Sequence, residues 1–327
     1  MTRRRLLAAG GLACTGFFLW LALRKVRFAL LTHILAGARW GWLVPMAAIV
    51  FLDLLIRALR WRVLLSRAIR DAPVLELLRL EAIGLAVNNV LFLRIGELAR
   101  GLLAARRLQI PTLAALASVV VERALDVAAL LALFVAAAAG APGFVPLHVR
   151  QGAELVLTGA LAALAFLSVA EGWVAGGGWI ERLLRPWPQM HRLLEQLALG
   201  AAVLRQPAAA AQAAFWSLVL WIIDAALYWA GAQAFGLGGV MSWSRSVLTL
   251  SWAAASSALP AAPGALGTFE AFVQDIVTKF GASPERAFAY ALVSHMLMFL
   301  LVTVTGLIFL YRVGLSLADL RGQVEKR

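Results

Sequence analysis

Ala82-Ile83-Gly84-Leu85-Ala86-Val87-Asn88-Asn89-Val90-Leu91-Phe92-Leu93-Arg94-Ile95-Gly96-Glu97 reads as an apolar helix that stops too soon. The run Ala82–Leu93 has 12 residues, against about 20 for a helix that crosses a bilayer. Asn88 and Asn89 interrupt it, Gly96 and Glu97 follow, and a second short helix runs on to about Arg107. In a membrane protein, a segment this short reads as re-entrant. A second stretch repeats the pattern. Ser246–Leu259 and Ala265–Phe280 are short apolar pieces parted by Pro260, Pro263, Gly264 and Gly267, with Glu270 just after the break. Non-helical backbone at membrane depth is tolerated only where protein buries it or where it lines a cavity. Paired interrupted segments in the two halves of a chain are the best sequence pointer to a transporter's midplane site.

The chain around these stretches demands a membrane. Of its 327 residues, 62% are hydrophobic and 14% charged, whereas soluble domains sit near 45–50% and about 25%. Mean hydropathy is +0.85. The composition excludes a disordered chain, a collagen-like chain and a disulfide-rich secreted domain. The single Cys14 allows no disulfide framework within the chain and no thiolate cage, and His33, His148, His191 and His295 are scattered singly. Neither a metal nor another cofactor is expected.

Six stretches read as full spans: Leu6–Leu23, Trp42–Leu59, Leu113–Ala139, Glu154–Trp173, Ala208–Phe235 and Ala287–Tyr311. The first follows Arg3, Arg4 and Arg5, as a signal peptide would, but basic residues rather than a small-residue cleavage site come after it, so it reads as a retained helix. With both termini cytoplasmic, 21 Lys and Arg fall on the cytoplasmic side and 8 on the other, with Arg123 inside a span. That bias fits the positive-inside rule. It also explains the net charge of +13 by topology, so nucleic acid is not an expected partner. In this topology the two broken hairpins enter from opposite sides, an arrangement compatible with an inverted repeat. The expected fold is an all-α polytopic membrane protein of about six full spans plus two broken re-entrant hairpins of opposite sense. Residues 1–327 are expected to form a single integral membrane domain, with a cytoplasmic amphipathic section at 176–206 and no soluble catalytic domain. The expected location is a bacterial-type inner membrane.

Asp53, Arg57, Arg94, Glu97, Glu122, Arg123, Asp126, Asp224 and Glu270 fall inside the apolar segments. Each costs about 2.5–3.5 kcal/mol at a helix centre on the insertion scale, so each needs a partner or a wet cavity. Asp53 and Arg57 are four apart, the spacing of a helical ion pair. Glu122 and Asp126 share a face, with Arg123 beside them, which reads either as a self-neutralising lock between helices or as a headgroup or proton site. Asp224 calls for a partner on another helix. His295 reads either as a helix–helix hydrogen bonder or as a proton relay. Glu97 and Glu270 begin helices, where they complement the dipole or meet a cation or proton. Trp61, set among Arg57, Arg60 and Arg62, has the look of an interfacial anchor.

Four stretches resemble the membrane region of lysylphosphatidylglycerol synthases and their stand-alone, flippase-like relatives. These are Arg57-Ala58-Leu59-Arg60-Trp61-Arg62 with Leu64 and Leu65; Gly84 through Asn88, Arg94, Gly96-Glu97 and Arg100; Glu122-Arg123 with Asp126; and Pro260, Pro263-Gly264, Gly267 and Glu270 followed by His295. Two positions depart from the family pattern. Phe92 stands where a proline is usual, and Ala265 follows Gly264 where the family has a second glycine. The resemblance implies a domain that moves lipids between leaflets, in some relatives alongside hopanoid or glycolipid pathways. The synthases' aminoacyl transfer belongs to a soluble domain and is not expected here.

The leading expectation is therefore a lipid translocator, not an enzyme. Asn88, Asn89, Arg94, Gly96, Glu97, Arg100, Glu122, Arg123, Asp126, Pro263, Gly264, Gly267, Glu270 and His295 are its candidate substrate-binding residues. Arg94, Arg100 and Arg123 suit an anionic oxygen, the asparagines suit hydroxyls, and Glu97 and Glu270 would pair with those arginines or with a cationic headgroup. An intramembrane lipid-modifying enzyme finds no D-x-D pair and no nucleophile set by spacing. A non-transporting accessory to lipid-biosynthesis enzymes is the other alternative. The basic surface would attract anionic cytoplasmic-leaflet lipids in any of these cases.

Overall fold

The computed structural model describes residues 3–24, 26–91, 95–141, 143–175, 188–257, 259 and 263–314. Among them the chain is helical throughout, with no strand. The α-helices are α1 (Arg3–Leu23), α2 (Phe28–Ala36), α3 (Leu43–Leu64), α4 (Val74–Val90), α5 (Gly96–Arg107), α6 (Thr112–Ala139), α7 (Leu147–Ala175), α8 (Pro188–Ala201), α9 (Pro207–Ala234), α10 (Trp243–Ser256), α11 (Thr268–Lys279) and α12 (Pro284–Arg312). The starts carry ordinary signals. Pro207 and Pro284 open α9 and α12, where a missing N–H costs nothing. Ser242 and Ser283 cap α10 and α12 through the backbone N–H groups of Arg245 and Arg286.

Among the described residues, four segments are long and apolar enough to cross a membrane: Trp40–Leu64, Leu147–Ser168, Pro207–Ala234 and Pro284–Arg312. Helix α6 has the length, 28 residues, but holds Glu122, Arg123 and Asp126. Helix α1 contributes the shorter apolar stretch Leu12–Leu23. Two boundaries differ from the sequence reading. The 24–39 connection contains α2, and α4 begins at Val74, eight residues before the apolar run. The first turns of α4 carry Glu76, Arg79 and Glu81, and hydropathy hides them because their partners are supplied by tertiary structure.

Helix α4 packs on α5 and α12, α3 on α9, and α10 and α11 on each other. The α4–α5 pair opens at one end of the molecule, where Arg107 Nε meets Glu76 Oε1. The α10–α11 pair opens at the other, where the Arg245 guanidinium lies over the rings of Phe144 and Phe280. Helix α12 fixes the opposite sense. Its Gly306 seats against the Ala82 carbonyl, while Thr303, nearer its start, accepts from Asn89 Nδ2, further along α4, at 2.9 Å. The two helices thus run antiparallel. Among the described residues, two large hydrophobic cores form, one with Trp61, Leu77, Ile83, Leu103 and Val121 and the other with Tyr228, Leu248, Val273 and Tyr290, beside a small cluster of Met46, Val50, Leu227 and Ala230. The breaks lie between the two large cores. The amphipathic section is described from Pro188. Helix α8 packs on α6 and α7, with Gly200 close against the Ala114 carbonyl at the start of α6, while Met190, Leu193 and Leu197 remain exposed.

Candidate functional site

The first break closes through its small residues. Gly84 and Gly96 face each other so closely that a side chain on Gly96 would run into the Gly84 carbonyl and the Asn88 amide. Asn88 Oδ1 accepts the Gly96 N–H at 2.8 Å, one of the donors that a helix start leaves without an internal partner. The second break turns on left-handed backbone at Gly264 (φ 69°), Ala265 (φ 55°) and Gly267 (φ 83°). Glycine adopts these angles freely, whereas an alanine there costs about 1–2 kcal/mol. The departure at Ala265 noted in the sequence therefore falls on a strained position. Pro263 opens a single 3-10 turn just before it. Thr15 Oγ1 of α1 donates to the Leu266 carbonyl at 3.1 Å and straps the break from outside.

The breaks meet. Gly264 lies beside the carbonyl of Asn89 and the ring of Phe299. Glu270 Oε2 accepts the Gly267 N–H at 2.7 Å, and Glu270 Oε1 lies 2.7 Å from His295 Nδ1. An ionised carboxylate carries no proton, so with Glu270 ionised His295 Nδ1 is the donor. Phe269 stacks on the imidazole at 4.1 Å. Next to this junction is a cavity of about 210 Å³ whose lining includes Asp53, Arg57, Asn89, Asp224, His295 and Phe299. Arg57 Nε donates to Asp53 Oδ2 at 2.8 Å, and its Nη2 lies 3.7 Å from Asp224 Oδ2. The partner that Asp224 called for is Arg57 on α3.

A second ionic cluster fills the first core. Glu122 Oε1 receives Arg60 Nη2 at 3.0 Å, Arg100 Nη2 at 2.7 Å and Arg123 Nη2 at 2.8 Å. Arg60 also binds Asp126 Oδ1 and, at 3.2 Å, Ser217 Oγ. Arg100 also binds Glu81 and lies 4.7 Å over the Trp61 ring. Trp61 Nε1 donates to Ser118 Oγ at 3.0 Å. One carboxylate thus ties α3, α5 and α6 together. Arg60, Arg100 and Glu122 are buried. The Arg123 side chain is 38% exposed and reaches Glu97 Oε1 at 3.6 Å, so it forms the outer edge of the cluster.

The candidate residues thus divide. Glu97, Arg100, Glu122, Arg123 and Asp126 form one network. Gly264, Gly267, Glu270 and His295 form another with Pro263 beside it, and Asn89 joins that junction to the cavity. Asn88 and Gly96 close the first break. Arg94 and Pro260 lie outside the described residues. Among the described residues Glu270 pairs with His295. One expectation changes. Trp61 is fully buried beneath Arg100 and is not an interfacial anchor, because Arg60 beside it turns inward to Glu122 and Asp126. Arg60, Glu81 and Ser217 join the first network without being among the residues expected to bind substrate. Glu81 carries a usable signal, since it directly precedes the apolar run at Ala82 and needs a partner once α4 extends to Val74.

No curated protein and no solved structure matches the chain. The family model described as the lysylphosphatidylglycerol synthase TM region matches residues 7–306, which takes in both breaks, both ionic clusters and the cavity. With its long apolar helices and this match, the chain is an integral membrane protein belonging to the lysylphosphatidylglycerol synthase transmembrane-region family.

Proposed function

We propose that the protein moves a lipid with a polar or charged headgroup between the two leaflets. The observation that carries this reading is the cavity beside the junction of the two helix breaks, lined by charged side chains within apolar helices. Family membership supports a role in membrane lipid biology. At about 210 Å³ the cavity falls below the roughly 300–1,000 Å³ of pockets that enclose drug-sized ligands, so it suits a headgroup and not a whole lipid. The tail stays in the bilayer. A larger cleft of about 630 Å³ between α1, α10 and α11, walled by Phe18, Leu21, Trp252 and Phe272 with Arg24 and Lys279 among its polar residues, offers an amphiphilic surface on the way.

In this reading the α4–α5 and α10–α11 pairs are re-entrant hairpins from opposite faces, and rocking of one core against the other alternates access to the cavity. Asn89 bonds headgroup hydroxyls, and Arg123 with Glu97 meets the headgroup at the edge of the first network. Both termini are cytoplasmic in a bacterial-type inner membrane, and the protein carries out no covalent step. The competing reading, an accessory to lipid-biosynthesis enzymes, draws on one observation: Arg60, Arg100 and Glu122 pair with one another and serve as a lock. Mass spectrometry of lipid retained by the purified protein separates the two. Enrichment of one headgroup class over the host membrane is expected, and bulk phospholipid in host proportions would favour the accessory role.

A further inference from the structure

The cavity beside the breaks holds two carboxyl groups and one guanidinium. Asp53 and Asp224 both face Arg57, from α3 and α9, at 2.8 and 3.7 Å, and both line the cavity. With both ionised, the trio has a charge of −1 inside an apolar bundle, and two carboxylates held on one guanidinium repel. Asp53 is 8% exposed, and its Oδ1 has no hydrogen-bond partner among the described residues. A buried carboxylate oxygen without a donor calls for one. Among the described residues no hydrogen bond reaches it, and the groups packed around the trio have other partners or add a like charge. On α12, His295 uses Nδ1 on Glu270. On α4, Asn89 gives its amide N–H to Thr303. On α6, Asp126 is held by Arg60 and Arg123, so it adds a like charge and no donor. On α9, Tyr228 is buried and offers its carbonyl to the Tyr290 hydroxyl. No titratable side chain of α10 lines the cavity.

We propose that Asp53 and Asp224 form a proton-binding site. One proton from water forms an O–H bond on one carboxylate of the pair. The products are one carboxylic acid and one carboxylate, the trio becomes neutral, and the acid supplies the missing donor. A metal cation fits poorly. Hard cations take about 6–8 oxygen ligands, and here the Arg57 guanidinium already lies against both carboxylates. Paired acids that share one proton are the general outcome when like charges are held this close. The site goes beyond lipid translocation and does not depend on it.

Infrared spectroscopy of the purified protein in lipid nanodiscs tests it with no lipid moved. At neutral pH the wild type is expected to show a protonated carboxylic-acid C=O band that shifts in protein carrying carboxyl-labelled ¹³C-aspartate. The band is expected to be lost in Asp224→Asn and in Asp53→Asn, where a single carboxylate remains to pair with Arg57. A wild-type spectrum with no band sensitive to the aspartate label would overturn the proposal, even if neither variant folds. So would a band unchanged in both variants, or carboxylate bands that respond to sodium at fixed pH. A negative leaflet assay leaves this result intact, so the two readings fail separately.

Discussion

Glu122→Ala is expected to destabilise the protein by about 3–5 kcal/mol, the cost of breaking a buried ion pair from one side. The reason lies in the number of groups stranded. Arg60, Arg100 and Arg123, from three helices, converge on Glu122 Oε1 within 2.7–3.0 Å. Alanine leaves all three guanidinium groups with less compensation, in a core where Arg60 and Arg100 cannot reach water. Asp126 and Glu81 still hold them in part, which keeps the loss from multiplying threefold. Thermal unfolding in detergent, followed by loss of the monodisperse species, measures it. Glu97→Ala is the internal comparison. Its partner lies 3.6 Å away and both side chains are more than a third exposed, so it is expected to cost no more than about 1 kcal/mol. Equal losses from the two variants would mean that the buried network does not lock the helices.

Gly96→Ala is expected to cost at least about 1–3 kcal/mol, the range for overpacking a tight site, by forcing α4 and α5 apart. The added methyl would meet the Gly84 carbonyl and come within 2.7 Å of Asn88 Oδ1. Backbone atoms cannot rotate away as a side-chain tip can. The same shift would break the Asn88–Gly96 hydrogen bond that closes the first break. Gly159→Ala in α7, where nothing lies within 4 Å, is expected to be neutral or slightly stabilising. The same melting measurement distinguishes them, and a neutral Gly96→Ala would rule out close approach at the first break.

The sequence is informative about this fold where hydrophobicity and helix breakers act locally. Both breaks and the cluster at Glu122, Arg123 and Asp126 follow from run lengths, Gly and Pro positions, and charges out of place. Partnerships across helices are a different matter. Arg60 looks interfacial because basic residues and a tryptophan surround it, and only the approach of α6 turns it inward. Glu81 escapes notice because polar first turns resemble a loop when the helix is judged by apolar length alone. The Asp53–Arg57–Asp224 trio was half visible. Its i,i+4 pair is local, whereas the packing of α9 on α3 that delivers Asp224 is not. The same holds for Glu270 and His295, 25 residues apart, each legible as a misplaced polar group and neither legible as the other's partner.

Passage of a lipid headgroup through the cavity beside the two breaks is measured by a leaflet assay on vesicles of phosphatidylethanolamine and phosphatidylglycerol with a trace of tail-labelled lipid and a membrane-impermeant quencher. Wild-type protein is expected to bring inner-leaflet label within reach of the quencher. Glu270→Ala is expected to slow this about tenfold or more, the rate equivalent of the roughly 1.5 kcal/mol carried by a hydrogen bond to a charged group. Folded wild-type protein that leaves the label as inaccessible as empty vesicles do, across anionic, zwitterionic and sugar headgroups, would contradict the account.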